Sequence, residues 1–190
     1  MKNLFCLFLV FCFANISLAQ SSGAVVKGGL IWNDYLRDDQ TILQRSQTGS
    51  VVGLEVRLGA DDNSYFKLGG YYGRIHMQPQ DHPKQTQFFK VVDGYNLLKA
   101  ICGIEVRLVT QRNFNWRLAA SGAFSFIAGV RGNVLMDDLS SGMFGVHLST
   151  GVDVSIFSLD IALEPGLNDF LRNTEDTKPV MMMMTLGFHF

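Results

Sequence analysis

The sequence predicts an all-β fold, a closed up-and-down antiparallel transmembrane β-barrel of about eight strands. Apolar and polar residues alternate with a period of two along several segments. The connections between these segments are alternately long and short. The chain is 47% hydrophobic and 17% charged. Typical soluble domains have roughly 25% charged residues, so part of this surface is expected not to meet water.

The first residues are typical of a secretory signal peptide. Lys2 is a charged n-region, and an apolar run of h-region length follows it. Small residues before and at Ala19 predict cleavage there, giving a signal peptide over 1–19 and a barrel domain over 20–190. The run is too short for a spanning helix, which needs about 20 apolar residues. Only Cys102 remains after cleavage, so no internal disulfide is expected.

Each predicted strand has one apolar face, whereas a helix would scatter the charged residues of these segments around its circumference. The alternation is clearest over 52–58, 98–108, 116–128, 146–156 and 182–190. Adding 25–33, 65–76 and 157–168 gives about eight strands, many near the 9–11 residues that a tilted spanning strand needs.

The connections support the same prediction. Long polar stretches cover 34–47, 77–94 and 169–179, the stretch 131–141 is intermediate, and the connections at 59–64, 110–115 and near 157 are short. In a transmembrane barrel all odd connections lie on one side and all even ones on the other, with the short turns in the periplasm. A soluble meander has no reason to sort its connections in this way.

The face opposite the lipid is predicted to be charged. By alternation it carries Lys27, Glu55, Arg57, Lys67, Lys99, Glu105, Arg107, Arg117, Asp153, Asp160 and Glu164. The interior of an eight-stranded barrel is only wide enough for side chains, and burying a lone charge costs several kcal/mol. We therefore predict a structural ion-pair network toward the periplasmic end that plugs the lumen, with a gated conduit as the alternative. Its members are Glu55, Arg57, Glu105, Arg107, Arg117 and Asp153.

Signals for catalysis or metal binding are weak. Ser121, His147 and Asp153 could form a Ser/His/acid set, but no nucleophile-elbow motif surrounds the serine, so no catalytic residue is predicted. His76 and His82 lie near the third connection, where a metal site would arise only by coincidence, and no metal or cofactor is expected. A net charge of -1 gives no basic excess for nucleic acid.

Four stretches also carry a family resemblance: 26–33 (VKGGLIWN), 53–58 (GLEVRL), 164–169 (EPGLND) and 186–190 (LGFHF). Together they resemble the outer-membrane β-barrel domain family common in Bacteroidetes, to which the PorT component of type IX secretion belongs. The resemblance implies that the closing strand, with Phe188 and Phe190, is an assembly signal for the outer-membrane insertion machinery. It also implies that a protein of the envelope or of a secretion system is a partner. Physically, Phe190 is an interfacial aromatic anchor.

These observations predict a small non-enzymatic protein of the Gram-negative outer membrane, surrounded by lipid, with a structural, docking or adhesion role through its long extracellular loops. One alternative is a soluble exported lipocalin-like binding barrel, in which the apolar face would point inward. The mixed charges, Gly and Ser of the polar face suit a narrow lumen better than a solvated exterior. The other alternative is an outer-membrane barrel enzyme acting on lipid or peptide.

Overall fold

The computed structural model describes residues 23–36, 47–59, 63–76, 92–111, 113–132, 142–169 and 178–190. These ranges form eight antiparallel strands in chain order, and β1 also pairs with β8, which closes the barrel. The strands are β1 Gly23–Leu36, β2 Gln47–Gly59, β3 Ser64–His76, β4 Val92–Gln111, β5 Phe114–Gly132, β6 Met143–Val154, β7 Phe157–Pro165 and β8 Lys178–His189. The predicted fold class is confirmed. The predicted signal peptide lies outside the described residues.

The two ends of the barrel differ in their connections. At one end, called here the turn end, the strands are joined by 60–63, 112–113 and 155–156. The sixth predicted strand, expected to reach residue 156, stops at Val154 because Ser155 turns with a positive φ of 56°. The opposite end, called here the loop end, is where 37–46, 77–91, 133–142 and 166–177 connect the strands.

The seventh strand is shorter than the predicted segment 157–168. β7 ends at Pro165, which has no N–H to continue the ladder. Beyond it the backbone still pairs: the Gly166 N–H donates to the Pro179 carbonyl and the Leu167 N–H to the Phe144 carbonyl, both at 2.7 Å. The Asn168 side chain adds to this pairing, because its Oδ1 accepts from the Phe144 N–H at 2.7 Å and its Nδ2 donates to the Gly142 carbonyl at 2.8 Å. The wall therefore continues past the proline with backbone and side-chain hydrogen bonds.

The outside of the barrel is an apolar belt. Outward positions on all eight strands carry exposed large hydrophobic side chains, including Leu30, Leu54, Phe66, Ile104, Leu118, Val146, Ile161 and Leu186. Soluble monomers rarely expose a contiguous apolar patch of more than a few hundred Å². An apolar exterior on all eight strands is expected of a barrel that is surrounded by an apolar medium. Among the described residues, no helix is long and apolar enough to span a membrane.

Two polar side chains of the belt, those of Trp116 and Thr150, have hydrogen-bond partners within the protein. The Trp116 indole N–H donates to Thr150 Oγ1 at 3.0 Å, and this hydroxyl donates to the Arg117 carbonyl at 3.1 Å. Hydrocarbon offers no partner to a hydroxyl or indole N–H, so a lipid-facing polar side chain must find one in the protein. This pair meets that requirement.

The lumen is filled by two different kinds of side chain. The half nearer the loop end is an apolar core with two tyrosines, while the half nearer the turn end holds most of the buried charge. The apolar half comprises Ile31, Val51, Tyr71, Ile75, Tyr95, Leu97, Ile101, Ala123, Ile127, Met143, Ala162, Met181 and Met183. The alternation correctly separates inside from outside, and the network was predicted toward the periplasmic end, but the apolar packing of the other half of the lumen was not predicted.

Candidate functional site

The lumenal charges form a dense ion-pair network centred on Arg117. Its guanidinium lies 3.0 Å from Glu105 Oε2, 2.8 Å from Asp153 Oδ1 and 3.0 Å from Asp160 Oδ1. These carboxylates come from β4, β6 and β7, and the arginine itself comes from β5. A single side chain therefore ties four strands together inside the barrel.

Arg57 on β2 contacts two of the same carboxylates, those of Glu105 and Asp153. Its Nε lies 3.0 Å from Glu105 Oε1, and its Nη1 lies 3.3 Å from Asp153 Oδ2. His189 on β8 adds a contact of 3.1 Å between its Nε2 and Asp153 Oδ1. Glu105 and Asp153 thus each bridge two arginines, which is the pattern that lets a buried carboxylate keep its charge.

The network continues toward mid-height through two lysines. Lys27 Nζ contacts Glu55 Oε2 at 2.6 Å and Asp160 Oδ2 at 2.8 Å, and Lys67 Nζ lies 3.3 Å from Glu55 Oε1. The Tyr71 hydroxyl donates a hydrogen bond to Glu55. Tyr71 also belongs to the apolar core, so it joins the two halves of the lumen.

A second, smaller cluster lies nearer the loop end. Lys99 Nζ is 2.9 Å from Glu164 Oε2, and His147 Nδ1 contacts the same oxygen at 3.0 Å. The ammonium also lies 3.4 Å from Met181 Sδ and 3.7 Å from Met183 Sδ. This lysine therefore contacts two thioethers of the lumen as well as the carboxylate.

The buried lumenal charges balance, apart from the histidines. Five basic and five acidic side chains are buried in the described part of the lumen, and every one of them has an opposite charge within 4.0 Å. They are Lys27, Arg57, Lys67, Lys99 and Arg117 with Glu55, Glu105, Asp153, Asp160 and Glu164. A neutral, fully paired interior is what a low-dielectric lumen requires.

The structure brings together five of the six side chains assigned to the network from sequence: Glu55, Arg57, Glu105, Arg117 and Asp153. The assignment of the sixth, Arg107, to the network was wrong. Its guanidinium carbon lies 4.4 Å from the centre of the Tyr65 ring, and it forms no ion pair with a described residue. Arg107 still pairs with Arg117 in the β4–β5 register, which shifts only after it, between Arg107 and Val109.

The candidate Ser/His/acid set is not assembled. His147 contacts Glu164, whereas Asp153 is held by Arg57, Arg117 and His189. The Ser121 hydroxyl is buried without a hydrogen-bond partner in the described part of the chain. No three His, Cys, Asp or Glu side chains of the described ranges group as a metal site would need. His76 is exposed on β3, and His82 lies outside the described residues.

The lumen contains little free space. A cavity of about 10 Å³ lies between the charged and apolar halves, beside Lys27, Glu55, Lys67, Tyr71, His147 and Asp160. A void of this size holds about one water molecule. At this level the described lumen is occupied by packed side chains.

Phe188 and Phe190 both lie on the lipid-facing side of the closing strand, 47% and 71% exposed. The Phe188 ring contacts the Phe157 ring edge to face, with centroids 5.9 Å apart. Both residues are near the turn end, where Phe114 and Trp116 are also exposed. This set matches the aromatic girdle found at a membrane interface.

Gly151 provides a test of the network. A Cβ built there would overlap Asp160 Oδ1 and come within 2.9 Å of Arg117 Nη2. Gly151→Ala should therefore push apart the Arg117–Asp160 pair and lower the free energy of unfolding by about 1–3 kcal/mol. Urea titration of the protein folded in lipid vesicles measures this change.

The matched control is Gly70→Ala. A Cβ there meets no atom within 4 Å and would face outward. This variant should unfold like the parent protein. Equal stability of the two alanine variants would contradict the ion-paired lumen.

Sequence reasoning placed Lys27, Lys67 and Asp160 in the lumen but not in the network, and it missed Tyr71 and His189 as partners. Lys67 and Tyr71 share the inward parity of β3, so alternation alone could have identified both as lumenal. Which carboxylate each one contacts depends on strand stagger around the barrel, which the sequence does not show.

Comparisons with known proteins bear on the fold. No family model matches the sequence, and no curated protein sequence matches it. The structure is similar to the outer-membrane enzyme PagL, with a TM-score of 0.55 and 10% identity over 88% of this chain and 98% of that chain. It is also similar to Neisserial surface protein A, with a TM-score of 0.53 and 12% identity over 88% of this chain and 97% of that chain. The chain therefore has the fold of eight-stranded outer-membrane β-barrels.

Proposed function

We propose that this chain is a non-enzymatic integral protein of the Gram-negative outer membrane, with a structural, docking or adhesion role. The single observation that carries the proposal is the inverted barrel, apolar outside and ion-paired inside. The lipocalin-like alternative needs an apolar interior around a ligand. Here ten charged side chains and a packed apolar half occupy that space, leaving a cavity of about 10 Å³.

The connections orient the barrel. Short turns of outer-membrane barrels lie in the periplasm and longer loops outside the cell. The turn end, with 112–113 and 155–156, is then periplasmic, and the loop end is extracellular. The closing strand with Phe188 and Phe190 reaches the periplasmic end, where the insertion machinery would read it.

The barrel then acts as a rigid support for the extracellular segments. Recognition commonly resides on loops held by a rigid scaffold. Two of these segments carry charged residues: 37–46 begins Arg37-Asp38-Asp39, and 77–91 contains Phe88-Phe89-Lys90, which adds two aromatic rings. The proposed partner is a protein of the envelope, a secretion system or another cell surface.

Planar lipid bilayers test the closed lumen. We expect no conductance step of porin size from the inserted protein, because charged and apolar side chains fill the lumen. A porin added to the same bilayer provides the positive control. Porin-sized steps from the purified barrel would overturn the structural role of the network and favour the gated conduit.

Site-specific photo-crosslinking in intact cells tests the docking role. A photoreactive residue placed within 77–91 should form protein adducts, whereas the same group at Asn113 in the short turn should not. The heat-induced shift in gel mobility shows whether both variants still fold. Adducts only from Asn113 would place docking in the periplasm and contradict the proposed orientation.

The non-enzymatic assignment is tested separately, because one protein of the same fold, PagL, is an enzyme. The folded barrel is expected to leave lipid A and peptide substrates intact. Hydrolysis that His147→Ala abolishes, while folding is preserved, would replace the proposed function with catalysis at the His147–Glu164 pair.

A further inference from the structure

The exterior of the barrel changes from apolar to basic at one place on the loop end. The outward positions of β3 from Phe66 to Tyr72 are apolar or glycine, and the next two are Arg74 and His76. Both side chains are exposed. Tyr72 marks the position of an interfacial aromatic, so Arg74 is the first residue of β3 beyond the apolar belt.

Hydrogen-bonding groups flank these two residues on the neighbouring strands. Arg74 pairs with Ser50 on β2 and with Asn96 on β4, and His76 pairs with Thr48 on β2. Adjacent strands are about 4.8 Å apart, so each basic side chain has a hydroxyl or amide beside it. We call Thr48, Ser50, Arg74, His76 and Asn96 the Arg74 patch.

The positive charge of the patch is not neutralised by the described protein. All ion pairs between described residues join lumenal groups, and none includes Arg74 or His76. Among the side chains that the structure describes, the exterior basic residues are Arg74, His76 and Lys178, and all three lie toward the loop end. This one-sided basic charge favours an anionic group on that side of the membrane.

The depth of the patch indicates which anion that is. On a strand tilted by about 45°, two residues correspond to roughly 5 Å of height, so Arg74 lies just above the hydrocarbon. Lipid phosphates occupy this level. A guanidinium binds a phosphate through two parallel charge-assisted hydrogen bonds, for which its planar fork is well suited.

We propose that the Arg74 patch is a binding site for the phosphate and adjoining sugar of a phosphorylated glycolipid in the outer leaflet. The inference rests on the proposed membrane placement and orientation. A bare phosphodiester would need only the cation. The exposed hydroxyls of Ser50 and Thr48 beside the cations supply the donors and acceptors that sugar hydroxyls require.

Lipid retention in nanodiscs tests the site. The folded barrel is placed in phosphatidylcholine doped with lipid A, with dephosphorylated lipid A or with phosphatidylglycerol, and retained lipid is counted by native mass spectrometry. Lipid A is expected to be retained best. Loss of charge-assisted hydrogen bonds in Arg74→Gln/His76→Gln should reduce its apparent affinity about tenfold.

Two further variants separate a built site from general attraction. Lys178→Gln removes one exterior positive charge at the same end and should leave lipid A retention unchanged. Ser50→Ala keeps every charge and should weaken retention of lipid A but not of phosphatidylglycerol.

Three results would overturn the inference: equal losses in the Lys178 and Arg74/His76 variants, equal retention of dephosphorylated lipid A, or equal retention of phosphatidylglycerol. The heat-induced gel shift in phosphatidylcholine alone reports insertion independently of lipid A. A barrel that inserts without preferring lipid A refutes the site only, whereas a barrel that inserts into no bilayer refutes the proposed function as well.

Discussion

Arg117→Met is expected to lower the free energy of unfolding by about 3–5 kcal/mol, because it breaks a buried ion pair by removing one partner. Three carboxylates, those of Glu105, Asp153 and Asp160, lie within 3.0 Å of this guanidinium. The methionine side chain fills similar space but leaves the lumen with one uncompensated negative charge. Urea titration of the barrel in lipid vesicles measures the loss.

Two variants control this prediction. Arg107→Met removes an arginine that contacts the Tyr65 ring and no described carboxylate, so it should cost no more than about 1 kcal/mol. Adding Asp160→Asn to Arg117→Met restores the charge balance and should recover part of the loss. If Arg107→Met and Arg117→Met destabilise equally, the network does not hold the lumen together.

Ile104→Arg is expected to cost about 2–4 kcal/mol, the penalty for an arginine on the lipid face at the bilayer midplane. Ile104 is 61% exposed on β4 and lies beside Phe66 and Ala120 on the neighbouring strands. The outward apolar residues of β4 run from Leu98 to Leu108, so Ile104 is near the middle of the belt. The same vesicle-based titration measures this effect.

The control is Asn113→Arg, in the exposed turn between β4 and β5. That site lies at the turn end, where an arginine meets water and headgroups, and stability should not change. In a soluble barrel, Ile104→Arg would be neutral or would improve solubility. Equal behaviour of the two arginine variants would therefore contradict the membrane-facing assignment of the belt.

Much of this fold could be predicted because one physical constraint repeats along the chain. A strand with lipid on one side and a narrow lumen on the other must alternate, and a shift by one residue would turn every side chain to the wrong face. The alternation at 52–58 and 98–108 therefore located β2 and β4. The ends of the strands were less predictable. β7, for example, ends early at Pro165, because proline has no N–H to donate to the ladder.

The residues that form the ion-pair network were harder to predict than the face of the strands that carries them. Alternation correctly placed Glu55, Arg57 and Arg117 inside. Arg107 has the same sequence context as Arg57, in the repeated segments 53–58 and 103–108, yet only Arg57 reaches a carboxylate. The difference lies in contacts across the strands: Arg57 reaches Glu105 and Asp153, whereas Arg107 lies over the Tyr65 ring.

The sequence by itself determined the strands, the inward and outward faces and the near balance of lumenal charge, because each of these follows from neighbours along one strand. Only the tertiary structure decided which charges meet, since Arg117 and Asp160 approach each other across the stagger of a closed barrel. It also decided that the loop-end half of the lumen is apolar. That division depends on the height at which each inward side chain lies, and height is set by closure of the barrel rather than by position in the chain.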